Sequence, residues 1–262
     1  DAMGGDNAPQ APVMGAVEAN REYGVGVILV GRGETILKVL EDNGIKELPA
    51  GVEIAHASEV VEMCDNPATA FREKKDSSLT VGLNLLKNGD GAAFVSAGST
   101  GALLSAATLM VKRIRGIRRA AMAPVIPTTT GQAVLIDCGA NAECTPEYLV
   151  QFAYLGSYYA HRVLGVERPR VGLLNIGTED SKGTDLQKET LRWLREAHTA
   201  GHLNFIGNIE AKEAIKGGCD VIVCDGFSGN VLLKTMEGVG SFAGSALKAM
   251  SVSYTHLRAH ET

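Results

Sequence analysis

Between Gly91 and Leu104 the chain reads GAAFVSAGSTGALL. A small apolar run, Ala92-Ala93-Phe94-Val95, turns through Ser96-Ala97-Gly98-Ser99-Thr100-Gly101 and enters a helical stretch from Ala102 to Val111. A strand, a Gly/Ser/Thr turn and a helix in succession is the building unit of sheets whose strands run mostly parallel. Glycine lets backbone approach a ligand closely, and N–H groups at a helix start point at negative charge. The pattern recurs at Val221 to Leu233, VIVCDGFSGNVLL. Gly98-Ser99-Thr100-Gly101 and Gly226-Phe227-Ser228-Gly229 both read G-x-[ST]-G before an apolar helix. Two ordinary tight turns would give the same letters. Their pairing, together with further Gly loops, points to phosphate or oxyanion chemistry.

The rest of the chain repeats this alternation. Helices are expected at Ala11 to Glu22, Glu34 to Glu41, Leu79 to Lys87, Pro146 to Leu164, Asp185 to Ala200, Glu210 to Ile215 and Val231 to Met250. Strands are expected at Val25 to Gly31, Val52 to Ala57, Ala92 to Val95, Ala123 to Pro127, Ala133 to Ile136, Val171 to Leu174, Asn204 to Ile206 and Asp220 to Cys224, with a turn at Gly207-Asn208. Small-residue loops follow the strands, as at Asp137 to Asn141 and Asn175 to Asp180. The expected fold is three-layer α/β/α, Rossmann-like, with one continuous, mostly parallel sheet and ligands outside the carboxyl ends of its strands. Residues 1–250 read as a single α/β domain. After Met250 the letters SVSYTHLRAHET break the helical pattern, and residues 251–262 read as a non-native tail; His256 and His260 there do not suggest a metal site.

Composition narrows the function. The 262 residues are 45% hydrophobic and 21% charged, enough for a sizeable core. Aromatics at 5% do not suit a stacking platform for single-stranded nucleic acid, and a net charge of −5 argues against a general polyanion binder. The five cysteines form no C-x-x-C pair, so neither zinc nor a disulfide framework is favoured, and free thiols suit a reducing cytoplasm. Neither a spanning apolar run nor a secretory signal is visible.

Common catalytic signatures are absent. Gly177 to Thr184, GTEDSKGT, holds the residues of a P-loop in the wrong order; neither a G-x-G-x-x-G after a strand nor a G-x-S-x-G elbow occurs. Arg72, Lys74, Lys75 and Lys182 are candidates to hold an anion, with a solvated charged face as the alternative for Arg72 to Lys75. Asp137, Asp180 and Asp225 end strands and read as loop caps or orienting groups. His56 reads as structural.

Seven segments carry a resemblance: DAMGGDNAP (Asp1 to Pro9), EMCDNPATAFREKKDSS (Glu62 to Ser78), SAGSTGALL (Ser96 to Leu104), DCGAN (Asp137 to Asn141), NIGTEDSKGTDL (Asn175 to Leu186), FIGNIE (Phe205 to Glu210) and DVIVCDGFSGNVLLKTMEG (Asp220 to Gly238). In this order they resemble the PlsX family of bacterial phosphate acyltransferases over Asp1 to about Met250. The family resemblance implies a fold related to the isocitrate/isopropylmalate dehydrogenases and phosphotransacetylases. It also implies a homodimer, and transfer of a long-chain acyl group from acyl carrier protein to inorganic phosphate for phospholipid synthesis. Asn7 stands where the family usually has His, and Ser99 where it often has Asn. The family's C-terminal part is expected to be missing.

On this reading Lys75, Ser96 and Asp225 are the catalytic candidates. Phosphate or substrate contacts fall to Asp1, Gly4, Gly5 and Asp6 by resemblance, and to Gly98, Ser99, Thr100 and Gly101 by both arguments. Ser77, Asn141, Gly177, Lys182, Gly226, Ser228, Gly229 and Asn230 complete the set. Phosphate is itself a nucleophilic anion, so no covalent enzyme nucleophile is required, and neither a cofactor nor a metal is expected. Carrier proteins are acidic, and Lys112, Arg113, Arg115, Arg118 and Arg119 form a dense basic run that suits docking; a solvated loop complementing a helix end is the alternative. A lipid-like product is compatible with membrane association of a cytoplasmic enzyme. The competing functions are a phosphotransacetylase-like enzyme, an NAD-dependent dehydrogenase, and a carrier-binding module inactive through truncation.

Overall fold

The computed structural model describes the backbone of residues 1–259 and the side chains of residues 1–250. The chain divides into two compact units, Asp1–Gly116 and a second beginning at Ile117.

The first unit holds, in order, α1 (Gln10–Tyr23), β1 (Val27–Gly31), α2 (Gly33–Asp42), β2 (Val52–His56), α3 (Ala70–Glu73), α4 (Ser78–Asn88) and α5 (Thr100–Met110). β1 and β2 pair in parallel, Val27 opposite Val52. Val13 and Val17 of α1 and Ile36 and Leu40 of α2 bury against Leu29 and Val52. A second cluster joins Phe71 of α3, Leu79 and Leu83 of α4, and Ala102 and Ala106 of α5. Gly24 and Gly89 close α1 and α4 in the left-handed conformation.

The second unit holds β3 (Val125–Thr128), β4 (Gly131–Ile136), α6 (Pro146–Arg162), β5 (Arg170–Leu174), α7 (Asp185–Thr199), β6 (Asn204–Ile209), α8 (Ala211–Ile215), β7 (Val221–Val223) and α9 (Gly226–Ala259). Its five strands lie in the order β3-β4-β7-β5-β6. β3 and β4 are antiparallel and the other neighbours parallel. The buried strands are nearly continuous apolar runs because both faces are covered. Val134, Ile136, Val171, Leu173, Val221 and Val223 face Leu149 and Phe152 of α6 and Leu191 and Leu194 of α7. On the other face Ala133, Leu135 and Ile222 meet Ala214 of α8, with Leu232, Leu233 and Met236 of α9 packed against them. This unit is therefore three-layered, α/β/α. β4 leaves toward α6 on one face while its neighbour β7 leaves toward α9 on the other. Where adjacent parallel strands send their connections to opposite faces, a crevice opens at their carboxyl ends.

Four expectations are corrected. The sheet is not continuous: β1–β2 and the five-stranded sheet are separate. Ala92–Val95 is not a strand. One backbone bond, Asp1 N to Val95 O at 2.9 Å, touches it, and a single bond is no ladder. Phe94 instead packs on α4 at Gly82, where a Cβ would lie 2.1 Å from the ring. Gly207-Asn208 is no turn but lies inside β6. Pairing there skips from Phe205 to Gly207 and leaves Ile206 as the extra residue of a bulge. α9 runs on to Ala259, so the helix does not break at Met250. The His256 side chain and all of His260 lie outside the described residues.

Candidate active site

The N-terminal loop and the Ser96 loop of the first unit are built against each other. Ser96 Oγ donates to Asp1 Oδ2 at 2.7 Å and accepts the Gly98 N–H at 3.1 Å, while Met3 N donates to Asp1 Oδ1 at 3.0 Å. A Cβ on Gly4 would fall 2.5 Å from Asp1 Oδ2 and 2.9 Å from Gly98 N. Gly5, at φ +102°, would place one 2.9 Å from Ala97 Cβ. These glycines are required by loop-on-loop contact, and the Gly98 N–H is spent internally. Ser99 is the N-cap of α5 and accepts from Ala102 N. The next two donors, the N–H groups of Thr100 and Gly101, have no partner among the described residues. Asp6 is exposed.

The charged segment separates into parts. Lys74 Nζ is bound to Asp65 at 2.5 Å and to Val60 O at 2.8 Å. The Lys74 hydrogen bond holds the Asp65 carboxyl below its ordinary range. Asp76 accepts from Ser58 N at 3.0 Å. Ser77 is fully buried and caps α4 by accepting from Thr80 N. Arg72 lies over the Phe71 ring at 5.2 Å. Lys75 and Arg72 are both exposed with no ion-pair partner among the described residues, and of the two only Arg72 lies on an aromatic ring.

In the second unit the carboxyl ends of β4 and β7 meet in one bonded frame. Asp137 is fully buried. Its Oδ1 accepts Met122 N at 2.9 Å and Ala140 N at 3.2 Å. Its Oδ2 accepts Asn141 N at 2.7 Å and Asn141 Nδ2 at 2.9 Å. Asn141 Nδ2 also donates to Ala120 O at 2.8 Å, and Asn141 O accepts Gly226 N at 2.8 Å. Gly226 and Gly229 give the first turn of α9 room to press on this loop. A Cβ would stand 2.6 Å from Asn141 O at Gly226, and 2.0 Å from Asp137 O at Gly229.

Asp225 accepts from Ser228 N at 2.8 Å and Ser228 Oγ at 2.9 Å, so it caps α9. The two G-x-[ST]-G turns are therefore not equivalent. The cap follows the first glycine in one (Ser99) and precedes it in the other (Asp225), and the turns belong to different units. At α9 the Gly226 donor is spent; the Phe227 N–H is the one left without a partner among the described residues. The Asn230 side chain is exposed beside Gly139. Asp137 was among the sequence candidates only as a loop cap or orienting group, and Phe227 was not among them. The Asp-x-x-x-Asn spacing of DCGAN was a signal for the first, since a short carboxylate readily caps its own loop.

Gly177 and Lys182 lie in the Asn175–Thr184 loop after β5. Asn175 Oδ1 accepts Ile176 N at 2.8 Å and its Nδ2 donates to Lys182 O at 3.2 Å, leaving the Lys182 side chain exposed. Asn208 Nδ2 donates to Glu179 O at 3.0 Å, while its buried Oδ1 has no partner among the described residues. Asp180 forms a bidentate pair with Arg195. His56 Nδ1 accepts Gly33 N at 3.3 Å, a structural bond.

Of the basic run, Lys112 follows α5 at φ +74°. Arg118 Nε lies 3.1 Å from Glu147 Oε1 and its N–H donates to Gln151 at 2.8 Å. Arg119 lies over Tyr148 at 5.7 Å. Lys112, Arg113 and Arg115 are exposed. All five cysteines are unbridged, and no His/Cys/Asp/Glu group fit for a metal occurs among the described residues. No helix there is long and apolar enough to cross a membrane.

The model of a family described as "Fatty acid synthesis protein" matches residues 1–256. A phosphate acyltransferase of Geobacter sp. (strain M21) is 48% identical over 249 residues, covering 95% of this chain and 69% of that protein. One from Desulfitobacterium hafniense (strain Y51) is 48% identical over 259 residues, covering 98% of this chain and 75% of its own length. Among solved structures, a branched-chain phosphotransacylase from Enterococcus faecalis V583 aligns with a TM-score of 0.46 at 16% identity, covering 80% of this chain and 84% of that one; so loose a likeness carries no argument. The family match and these identities, sustained across both units, place the chain in the PlsX family of phosphate acyltransferases.

Proposed function

We propose that this chain transfers a long-chain acyl group from acyl carrier protein to inorganic phosphate, giving acyl phosphate and free carrier thiol. Family membership supplies the reaction class. The observation that carries the reading to this chain's residues is the bonded frame at the carboxyl ends of β4 and β7, where the first turn of α9 leaves the Phe227 N–H without a partner among the described residues. Phosphate needs N–H groups and cations more than it needs an enzyme nucleophile. We assign anion-binding roles to Phe227 N–H and Asn230 at this frame and to Lys182 in its loop. In the first unit the Thr100 and Gly101 N–H groups and Lys75 take the same kind of role. Asp225 acts by holding Ser228, and Asp1 by holding Ser96.

A phosphate oxygen of HPO₄²⁻ attacks the thioester carbon, the C–S bond breaks, and the phosphate proton passes to the leaving thiolate. Charge collects on the former carbonyl oxygen, where a preset donor contributes about 3–4 kcal/mol. Holding the two reactants in line lowers much of the remaining barrier.

The test is phosphate-dependent thiol release from long-chain acyl carrier protein, with the acyl phosphate trapped by hydroxylamine. Turnover that requires phosphate and falls in Lys75→Ala supports the reading. Turnover with short acyl thioesters alone would make the enzyme phosphotransacetylase-like, and carrier binding without turnover would make it a binding module. We further propose a cytoplasmic homodimer that touches the membrane peripherally. Phe227, Val231, Val239, Phe242, Leu247 and Met250 along α9 are exposed apolar residues that support a covered face. Light scattering and vesicle flotation test those two points.

A further inference from the structure

We infer that Asp137 is a positioning residue for phosphate, fixing the first turn of α9 through Asn141; this rests on the acyl-transfer reading above. Asp137 is fully buried, and every bond its carboxylate accepts comes from an uncharged N–H: Met122, Ala140 and both nitrogens of Asn141. No cation pairs with it among the described residues. A loop that needed only closing would be served by a neutral side chain, without burying a charge. The carboxylate does what a neutral group cannot: it accepts four donors at once, using both oxygens.

Its reach is specific. Asn141, locked at backbone and side chain, presents its carbonyl to Gly226 N at 2.8 Å. That bond sets where α9 begins and which way the next N–H, that of Phe227, points. Gly229, with Asp137 O only 2.0 Å from where a Cβ would lie, lets the turn seat on the loop. Three chain segments, at Ala120–Met122, Asp137–Asn141 and Asp225–Gly229, are thus referred to one carboxylate at the carboxyl end of β4. Rigid support of this kind keeps a donor at the geometry a bound anion needs.

Asp137→Asn replaces one acceptor oxygen with an NH₂, which must then face N–H donors in either orientation, those of Asn141 or those of Met122 and Ala140. The experiment measures KM for inorganic phosphate and for acyl carrier protein separately, and hydrogen exchange of residues 226–230 with and without inorganic phosphate. The expected result is a phosphate KM raised about tenfold, a carrier KM unchanged, and loss of the phosphate-induced protection. A purely structural role lowers the melting temperature and the active fraction but leaves the phosphate KM of the folded enzyme unchanged; that result overturns the proposal. If Asp137→Asn does not fold, Asn141→Ala carries the test, because the effect passes through Asn141, and an unchanged phosphate KM there is equally fatal. Wild type protected at residues 226–230 by phosphate alone, yet unable to transfer an acyl group, would support the positioning role and sink the transferase reading. Acyl transfer without that protection would do the reverse.

Discussion

Ser96 Oγ donates to Asp1 Oδ2 across 2.7 Å while accepting the Gly98 N–H at 3.1 Å, so a hydroxyl relays between a carboxylate and the turn before α5. Ser96→Ala removes both bonds and leaves the partly buried Asp1 carboxylate with fewer donors. We expect a stability loss of about 1–3 kcal/mol, the usual cost of leaving such a group unpaired. Turnover should fall at least tenfold, with Ser96→Thr retaining most of it. Denaturant titration and the thiol-release assay read the two effects. Wild-type values for Ser96→Ala in both would remove the relay from the site.

α9 contains glycines of two kinds. A Cβ at Gly229 would stand 2.0 Å from the Asp137 carbonyl oxygen, which is backbone and cannot swing away. Gly229→Ala should cost about 3 kcal/mol or more by forcing the turn off the loop. Gly240 meets nothing within 4 Å, so Gly240→Ala should stabilise by about 1 kcal/mol through helix propensity. Thermal melts of the two variants should move in opposite directions.

These contrasts show what the letters carry. Helix and strand order was legible because each apolar run in β4, β5 and β7 is bounded by turn residues, and the long helices show their period. Ala92–Val95 misled because an apolar run does not reveal whether a ladder partner is present. Gly207-Asn208 misled because a bulge and a turn use the same residues. Ser77, Gly226 and Ser228 were legible as special positions, but their jobs were not. A glycine needed for loop contact looks the same in sequence as one needed for a ligand. Asp137 depends on Met122, 15 residues earlier, a pairing no local pattern announces.

Burial raises three thiols strongly: Cys224 well above its ordinary value, Cys219 from 9.0 to about 12, and Cys144 from 9.0 to about 11. A raised folded-state value means the folded protein holds the proton more tightly. The resulting stability is fully present below about pH 9 and is lost as pH climbs toward 11–12. Urea midpoints should therefore fall above pH 9, less steeply in Cys219→Ala. At neutral pH a thiol reagent should label exposed Cys64 first, and Cys64→Ser should abolish the fast phase. Rapid labelling of Cys219 in the native protein would contradict its burial.

The basic run divides by how far its charges are already engaged. Arg118 is paired with Glu147 at 3.1 Å and Arg119 lies over Tyr148, whereas Lys112 and Arg115 are exposed without an ion-pair partner among the described residues. If the run docks an acidic carrier, the unengaged charges should dominate. Arg115→Glu and Lys112→Glu should each raise the KM for acyl carrier protein severalfold, with kcat nearly unchanged and Arg118→Ala having a smaller effect. The difference should shrink in high salt, where exposed charges are screened within about 3 Å at 1 M. A helix-end role predicts the opposite pattern. Lys112, at φ +74° just after α5, would then matter for stability alone, and no charge reversal would move the carrier KM at any salt concentration. Lys112→Gly separates the cases, because it relieves the left-handed backbone while deleting the charge. A melting temperature that rises together with the carrier KM would place docking at this lysine, and a rise with the KM unmoved would leave it a helix terminus only.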